Sequence, residues 1–171
     1  MVDIHTSLYN FMRTYRTKDG STDAVIRGCH KMTYERFFKE IDRVAGGLFK
    51  AGVRKGDVVM IALPNIQQSI IATYACSRIG AIASMIHPKL SADEFESAVK
   101  KLHPKVVFLS DVNRLAYFAR CHGARRVLCH FCSYDYIGLP RSKYFEPYDG
   151  DGEEIMFYMQ SGGTSGEPKT V

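Results

Sequence analysis

The chain has 171 residues, of which 46% are hydrophobic and 24% are charged, and its formal net charge is +5. This composition is ordinary for a globular protein and excludes a disordered or fibrous one. The length predicts one domain that buries roughly 70% of the surface of its unfolded chain. The basic residues are scattered along the sequence rather than gathered in a stripe, so we expect no nucleic-acid partner.

The sequence carries no visible targeting or membrane signal. Residues 1–5 lack a basic region followed by an apolar core, which a secretory signal would need. The most apolar stretch, 70–86, is interrupted by Arg78 and Gly80 and falls short of the ~18 apolar residues of a membrane span. Five cysteines without a secretory signal read as reduced thiols, so we expect a cytoplasmic protein.

Helical and strand patterns alternate along the chain. A hairpin is predicted over 23–27 and 31–32. The predicted helices are 33–52, 64–80, 91–103 and 111–123. The predicted strands are 57–63, 81–86, 106–109, 126–131 and 155–159, with a polar surface loop over 133–152. Strands alternating with helices predict an α/β fold, a mainly parallel sheet with helices on both faces.

Three segments carry the strongest local signals. Apolar residues recur every three or four positions in the first long helix, as Phe37, Ile41, Val44 and Leu48. Residues 57–63 form a mostly apolar run, which is typical of a strand covered on both faces. Ser91 and Glu94 have the spacing of a helix capping box.

The most informative stretch is 161–171, SGGTSGEPKTV, which follows the last predicted strand. Its three glycines let the backbone approach an anion closely, so that successive N–H groups can converge on one phosphate. Hydroxyl groups add donors, and Lys169 adds a positive charge. In open sheets of this kind, ligands bind beyond the carboxyl ends of the strands. The sequence therefore predicts a phosphate-binding loop at such an end.

Two familiar phosphate-binding motifs do not fit this loop. The P-loop of nucleoside triphosphatases needs Gly directly before Lys, whereas Pro168 precedes Lys169 here. The G-x-G-x-x-G pattern of dinucleotide-binding proteins is also missing from the sequence. A phosphotransferase of the P-loop type is therefore disfavoured.

The loop instead resembles the signature loop of the adenylate-forming enzymes, a superfamily that includes acyl-CoA and aryl-CoA synthetases, luciferases and peptide adenylation domains. Their loop usually reads T-S-G-T-T-G-x-P-K-G, with a variant that carries a second glycine. The chain matches that variant at Ser161, Gly162, Gly163, Thr164, Gly166, Pro168 and Lys169. It departs at Ser165, which keeps the hydroxyl group of the usual Thr, and at Thr170, where Gly is common.

Upstream segments strengthen this resemblance. They are 32–37 (MTYERF), 52–59 (GVRKGDVV), 63–65 (LPN), 80–82 (GAI) and Pro88. These segments are similar to the family's amino-terminal landmarks and occur in the same order. The resemblance therefore runs from about residue 22 to the end of the chain.

The resemblance implies ATP-dependent activation of a carboxylic acid, fatty or aromatic, to an acyl-adenylate, usually followed by thioester formation with CoA. It implies ATP, Mg²⁺ and CoA as cofactors. The residues it assigns to the phosphates of ATP are Ser161, Gly162, Gly163, Thr164, Ser165, Gly166 and Lys169. Which acid is activated, and which thiol accepts it, stay open.

Family members are several times longer, and their adenine, ribose and acyl pockets and catalytic lysine lie downstream of this loop. We therefore expect residues 1–171 to be a single α/β amino-terminal subdomain, with 161–171 as its phosphate loop and the remainder of the enzyme following Val171. Alone, this part is expected to be inactive. The alternative is a stand-alone nucleotide- or phosphate-binding module without catalysis.

Other candidate ligand residues are interpreted as structural. Cys129 and Cys132 fall on a predicted strand, where residues three apart point to opposite faces, so we expect no metal and no disulfide. His30, His87 and His122 lack partners at metal or catalytic spacing and are predicted to be surface or packing residues. The acidic stretch 149–154 lacks the glycine that a calcium loop requires at its sixth position.

Overall fold

A mainly parallel sheet lies at the centre of the fold. The computed structural model describes residues 6–15, 20–28, 30–111, 114–130, 133–150, 154–161 and 169–170. The helices are α1 (Leu8–Tyr15), α2 (Tyr34–Lys50), α3 (Gln67–Arg78), α4 (Ala92–Leu102) and α5 (Arg114–Tyr117), the last followed by the 3₁₀ turn Phe118–Arg120. The strands are β1 (Asp23–Arg27), β2 (His30–Thr33), β3 (Val58–Ala62), β4 (Ile82–Met85), β5 (Val106–Ser110), β6 (Arg125–Cys129), β7 (Tyr136–Ile137), β8 (Phe157–Ser161) and β9 (Lys169–Thr170).

The strand order in the described part of the sheet is β7-β6-β5-β3-β4-β8-β9. The five inner strands are parallel: β3 pairs with β4 and β5, β4 pairs with β8, and β5 pairs with β6. The two short outer strands, β7 and β9, are antiparallel to their neighbours. The predicted α/β fold is confirmed, while the two outer strands were not predicted. The predicted hairpin is also confirmed, as the separate sheet of β1 and β2.

Helices cover both faces of the sheet, because the central strands are apolar on both sides. Val59 and Ile61 of β3 belong to the core under α1, α2 and α3. Met60 and Ala62 of the same strand belong to a second core under α4 and α5. Burying side chains of this size stabilises the fold by about 1.5–3 kcal/mol for each Val or Ile. The predicted continuous apolar strand is thus confirmed.

The helix boundaries follow the capping signals. Thr33 caps α2 by accepting a hydrogen bond from the backbone N–H of Arg36, and the predicted apolar stripe of this helix is buried. In α4 both halves of the capping box are formed between Ser91 and Glu94. That helix ends at His103, which has a left-handed φ of 45° and is followed by Pro104. These predicted ends are confirmed.

The predicted surface loop between β6 and β8 is more tightly bound than expected. Tyr136 is only 6% exposed, and it pairs with Cys129 at the sheet edge. Farther along, the segment 139–143 crosses α2 at Gly46 and Gly47, where a Cβ atom at Gly47 would lie 2.7 Å from the carbonyl oxygen of Pro140. The physical reason is the paired glycines, which let a backbone approach the helix at a distance that side chains would prevent.

Candidate functional site

The carboxyl ends of the parallel strands lie along one edge of the sheet. Strands β3, β4, β5, β6 and β8 run in the same direction, so each delivers its following residues to that edge. Ser161, the last residue of β8, lies there. The predicted loop therefore begins at the edge where open α/β sheets bind their ligands.

Backbone pairing joins the two ends of the glycine-rich loop. Gln160 pairs with Thr170 and Ser161 pairs with Lys169 in an antiparallel ladder. Directly paired residues in such a ladder have Cα atoms about 4.5–5.5 Å apart. The structure thus brings Ser161 and Lys169 together at the base of the loop. Of the other predicted phosphate-binding residues, Gly162, Gly163, Thr164, Ser165 and Gly166 all lie outside the described residues.

The start of β8 is held by contacts with the neighbouring strand β4 and with Lys55, which precedes β3. The backbone N–H of Ala83 donates to the carbonyl oxygen of Met156 at 2.9 Å, just before β8 begins. Glu154 forms an ion pair with Lys55, whose ammonium group also lies 5.0 Å from the centroid of the Tyr148 ring. These contacts and the pairing with β4 determine where β8 delivers Ser161.

A histidine and a carboxylate meet at the same carboxyl edge, which the sequence analysis did not predict. Nδ1 of His130, after β6, lies 2.7 Å from Oδ2 of Asp111, after β5. The amide group of Gln68 donates to the carbonyl oxygen of His130 at 2.9 Å and so fixes that backbone. Asp111 is the first residue of the predicted helix 111–123, and in the structure its carboxylate pairs with His130. The sequence shows only that both predicted strands end in polar residues, and the structure adds that β5 and β6 are neighbours in the sheet.

The structure confirms the predictions for three histidines and leaves the one for Cys132 untested. His30, His87 and His122 are exposed, as predicted for surface residues, although His122 also lies 2.8 Å from Glu96. Cys129 is fully buried, and burial raises the pKa of its thiol to about 12. Cys132 lies outside the described residues, so the absence of a shared metal stays a prediction.

Among the described residues there is neither a metal-binding cluster nor a membrane-spanning helix. In the part of the chain that the structure describes, no group of three or more His, Cys, Asp or Glu side chains is placed to hold a metal ion. Within the same residues, every helix is too short or too polar to cross a lipid bilayer.

The chain belongs to the AMP-binding enzyme family, whose model matches residues 13–171. The acetyl-coenzyme A synthetase of Emericella nidulans is 30% identical over 167 residues, which cover 82% of this chain and 25% of that protein. The acetyl-coenzyme A synthetase of Penicillium chrysogenum is 43% identical over 81 residues, which cover 47% of this chain and 12% of that protein. The chain thus spans a quarter or less of these relatives.

Solved structures share the fold. ATP-bound MatB from Rhodopseudomonas palustris superposes with a TM-score of 0.82 at 19% identity, covering 96% of this chain and 34% of that one. A long-chain-fatty-acid-CoA ligase from Archaeoglobus fulgidus gives a TM-score of 0.82 at 21% identity, covering 98% of this chain and 36% of that one. The described sheet and its two helical layers are therefore an architecture that also occurs in these two proteins.

Proposed function

We propose that this chain is the phosphate-binding, amino-terminal part of an enzyme that activates a carboxylic acid with ATP and transfers the acyl group to CoA. The observation that carries the proposal is the ladder between β8 and β9, which joins Ser161 to Lys169 at the ligand-binding edge of the sheet. Family membership supports ATP as the nucleotide. Relatives named acetyl-coenzyme A synthetase support a carboxylic acid and CoA as the other reactants.

In the first step, a carboxylate oxygen of the acid attacks the α-phosphorus of ATP and pyrophosphate leaves, which gives the acyl-adenylate. Negative charge grows on the departing pyrophosphate, and fixed N–H dipoles and cations lower the energy of that state. The residues proposed for this task are the backbone of 161–166, the hydroxyl groups of Ser161, Thr164 and Ser165, and the ammonium group of Lys169.

In the second step, the thiol of CoA displaces AMP from the acyl-adenylate, which gives the thioester. Mg²⁺ bound to the phosphates would neutralise part of their charge. We propose that the adenine, ribose and acyl pockets are supplied by sequence corresponding to the downstream part of the relatives. The acid and the acyl acceptor are to be determined by assay.

The loop assignment is tested by replacing Lys169 with Ala in the enzyme that carries this chain. Losing one charge-stabilising group of this kind lowers the rate by about 10²–10³. We expect such a decrease in acid-dependent ATP–pyrophosphate exchange, measured over a panel of short, long and aromatic acids. Gly163→Val should have a similar effect, because a β-branched side chain obstructs close approach of the backbone to phosphate.

Lys143→Ala is the matched control, since Lys143 is an exposed lysine in the segment that crosses α2. It should leave the exchange rate unchanged. Unchanged exchange in both loop variants would contradict the loop assignment. Specific ATP binding without exchange for any acid would instead favour the alternative, a phosphate-binding module without catalysis.

A further inference from the structure

A concave surface lies beside β6 and β7, at the sheet edge farthest from β9. It encloses about 460 Å³, within the range of about 300–1,000 Å³ that ligand pockets usually have. We call it the edge groove, and define it by its lining residues Phe118, Ala124, Arg126, Leu128 and Ile137. Its walls are apolar and accessible, because Phe118 is 42% exposed and Ile137 is 51% exposed.

The edge groove continues into a second concavity of about 510 Å³ at the carboxyl end of α4. The two concavities share Gly123 and Ala124. Cationic side chains from α4, from the residue before β5 and from β6 line them. We call this set the basic rim: Lys100, Lys105, Arg125 and Arg126. These residues are dispersed over 27 positions in the sequence, and the fold collects them on one side of the sheet.

The carboxylates near the basic rim only partly balance its charge. Glu96 alone faces three cationic groups, at 2.7 Å from Lys100, 3.3 Å from Arg120 and 2.8 Å from His122. Asp57 pairs with Lys105 at 2.7 Å. Within the described ranges, Arg125 and Arg126 have no carboxylate partner. The surface therefore keeps an excess of positive charge.

Both unpaired cations are already held against the edge groove. Arg126 donates to the carbonyl oxygen of Phe118 at 3.4 Å, and its guanidinium carbon lies 4.3 Å from the centroid of that ring. Arg125 donates to the carbonyl oxygen of Gly138 at 3.1 Å. Because these side chains are held before a ligand arrives, binding immobilises less rotamer freedom. Each arginine keeps other N–H groups that could bind a carboxylate.

We propose that the edge groove and basic rim form a docking surface for an acidic polypeptide segment that carries bulky apolar side chains. The positive rim complements its carboxylates, and the groove between Phe118 and Ile137 takes its apolar residues. A nucleic acid fits these observations less well, because an apolar wall offers nothing to a phosphate backbone and half of the rim cations are already paired with Asp57 or Glu96.

The test measures fluorescence anisotropy of a labelled peptide of repeating Glu-Glu-Leu units, titrated with the 171-residue chain. Comparison probes are a peptide of Gln-Gln-Leu units, a peptide of Glu alone, and a single-stranded oligonucleotide of equal charge. We expect the Glu-Glu-Leu peptide to bind most tightly and to lose affinity as salt is raised. Amide chemical-shift changes should map to the edge groove.

Two sets of variants separate the charged and the apolar contributions. Arg125→Gln combined with Arg126→Gln should weaken binding of the Glu-Glu-Leu peptide by about tenfold or more. Ile137→Ser should reduce its advantage over the Glu peptide. The matched control combines Lys89→Gln with Lys143→Gln, which removes two exposed charges from other surfaces and should change affinity little. Circular dichroism checks that each variant is folded.

The proposal is overturned if the Gln-Gln-Leu peptide binds as tightly as the acidic one, or if no peptide binds. It is also overturned if the oligonucleotide binds most tightly, which would assign the surface to nucleic acid instead. An equal loss of affinity in the control variant would show a general charge effect and reject the site. None of these outcomes depends on whether the chain takes part in acid activation.

Discussion

At the scale of single residues, the ionised carboxylate of Glu96 makes a pH-dependent contribution to stability. Hydrogen bonds from Lys100 and His122 lower the pKa of Glu96 from 4.5 to about 2. The lowered pKa means that the folded state favours the ionised form, so stability is present above about pH 4.5. It is lost as the pH falls through about 2, where the carboxylate becomes protonated in the folded protein as well.

We predict that Glu96→Gln lowers stability at neutral pH and that its difference from the wild type shrinks between about pH 4.5 and pH 2. Urea unfolding at several pH values measures this. Glu35→Gln is the matched control, because Glu35 lies on α2 and its pKa is lowered by Lys39 alone. Its effect should be smaller. A constant difference between Glu96→Gln and the wild type over the whole range would contradict the prediction.

The residues of the candidate site divide into those that sequence can reveal and those that it cannot. Ser161 and Lys169 belong to one continuous motif, so their association is visible in the order of residues. Asp111 and His130 are 19 positions apart, and they meet only because β5 and β6 are neighbours in the sheet. Buried apolar strands look alike in sequence, so strand order, and hence this pair, could not be predicted.

At the scale of elements, helices with a strong apolar period and a capping signal were predicted well. In α2 and α4 the stripe and the caps agree, so local preferences and tertiary packing favour the same ends. In α3 the predicted start at residue 64 is early, because Ile66 is the N-cap. Ile70 of this helix is 41% exposed. The strands β7 and β9 have two residues each and are defined only by their pairing with a neighbouring strand. They are too short to show an alternating pattern in the sequence.

The contact between α2 and segment 139–143 makes a prediction about Gly47. A Cβ atom there would lie 2.7 Å from the carbonyl oxygen of Pro140 and 2.8 Å from the Leu139 side chain. Alanine is favoured over glycine inside a helix by ~1 kcal/mol, but overpacking costs about 1–3 kcal/mol. We expect the steric effect to dominate, because the nearest atom belongs to backbone. Gly47→Ala should therefore destabilise the fold, by up to about 2 kcal/mol.

Chemical unfolding of Gly47→Ala measures this change in the free energy of unfolding. Lys39→Ala, at an exposed position on the same helix, serves as control and should cost less than about 0.5 kcal/mol. A Gly47→Ala variant as stable as the wild type would show that segment 139–143 does not press on the helix. In that case the segment would move to accommodate the added methyl group without losing its packing.

At the scale of the whole molecule, the apolar cores and the candidate phosphate loop lie in different parts of the fold. The two apolar cores lie on β3, β4, β5 and β6, which are surrounded by helices. The candidate loop follows β8, which pairs with β4 on one side and with the short strand β9 on the other. Stability should therefore depend mainly on the centre of the sheet, while the proposed phosphate binding should depend on its β8 end.

This separation predicts that a polypeptide of residues 1–171 folds but does not catalyse acid activation. The proposed phosphate loop, without the adenine pocket that we propose lies downstream, offers a few charge-assisted hydrogen bonds, and the loss of freedom on binding opposes them. We expect a Kd for Mg-ATP near or above about 1 mM. Calorimetric titration measures the affinity, and trapping with hydroxylamine over fatty and aromatic acids detects any acyl-adenylate. Micromolar affinity, or any acid-dependent hydroxamate, would show that these residues contain more of the active site than the loop and its scaffold.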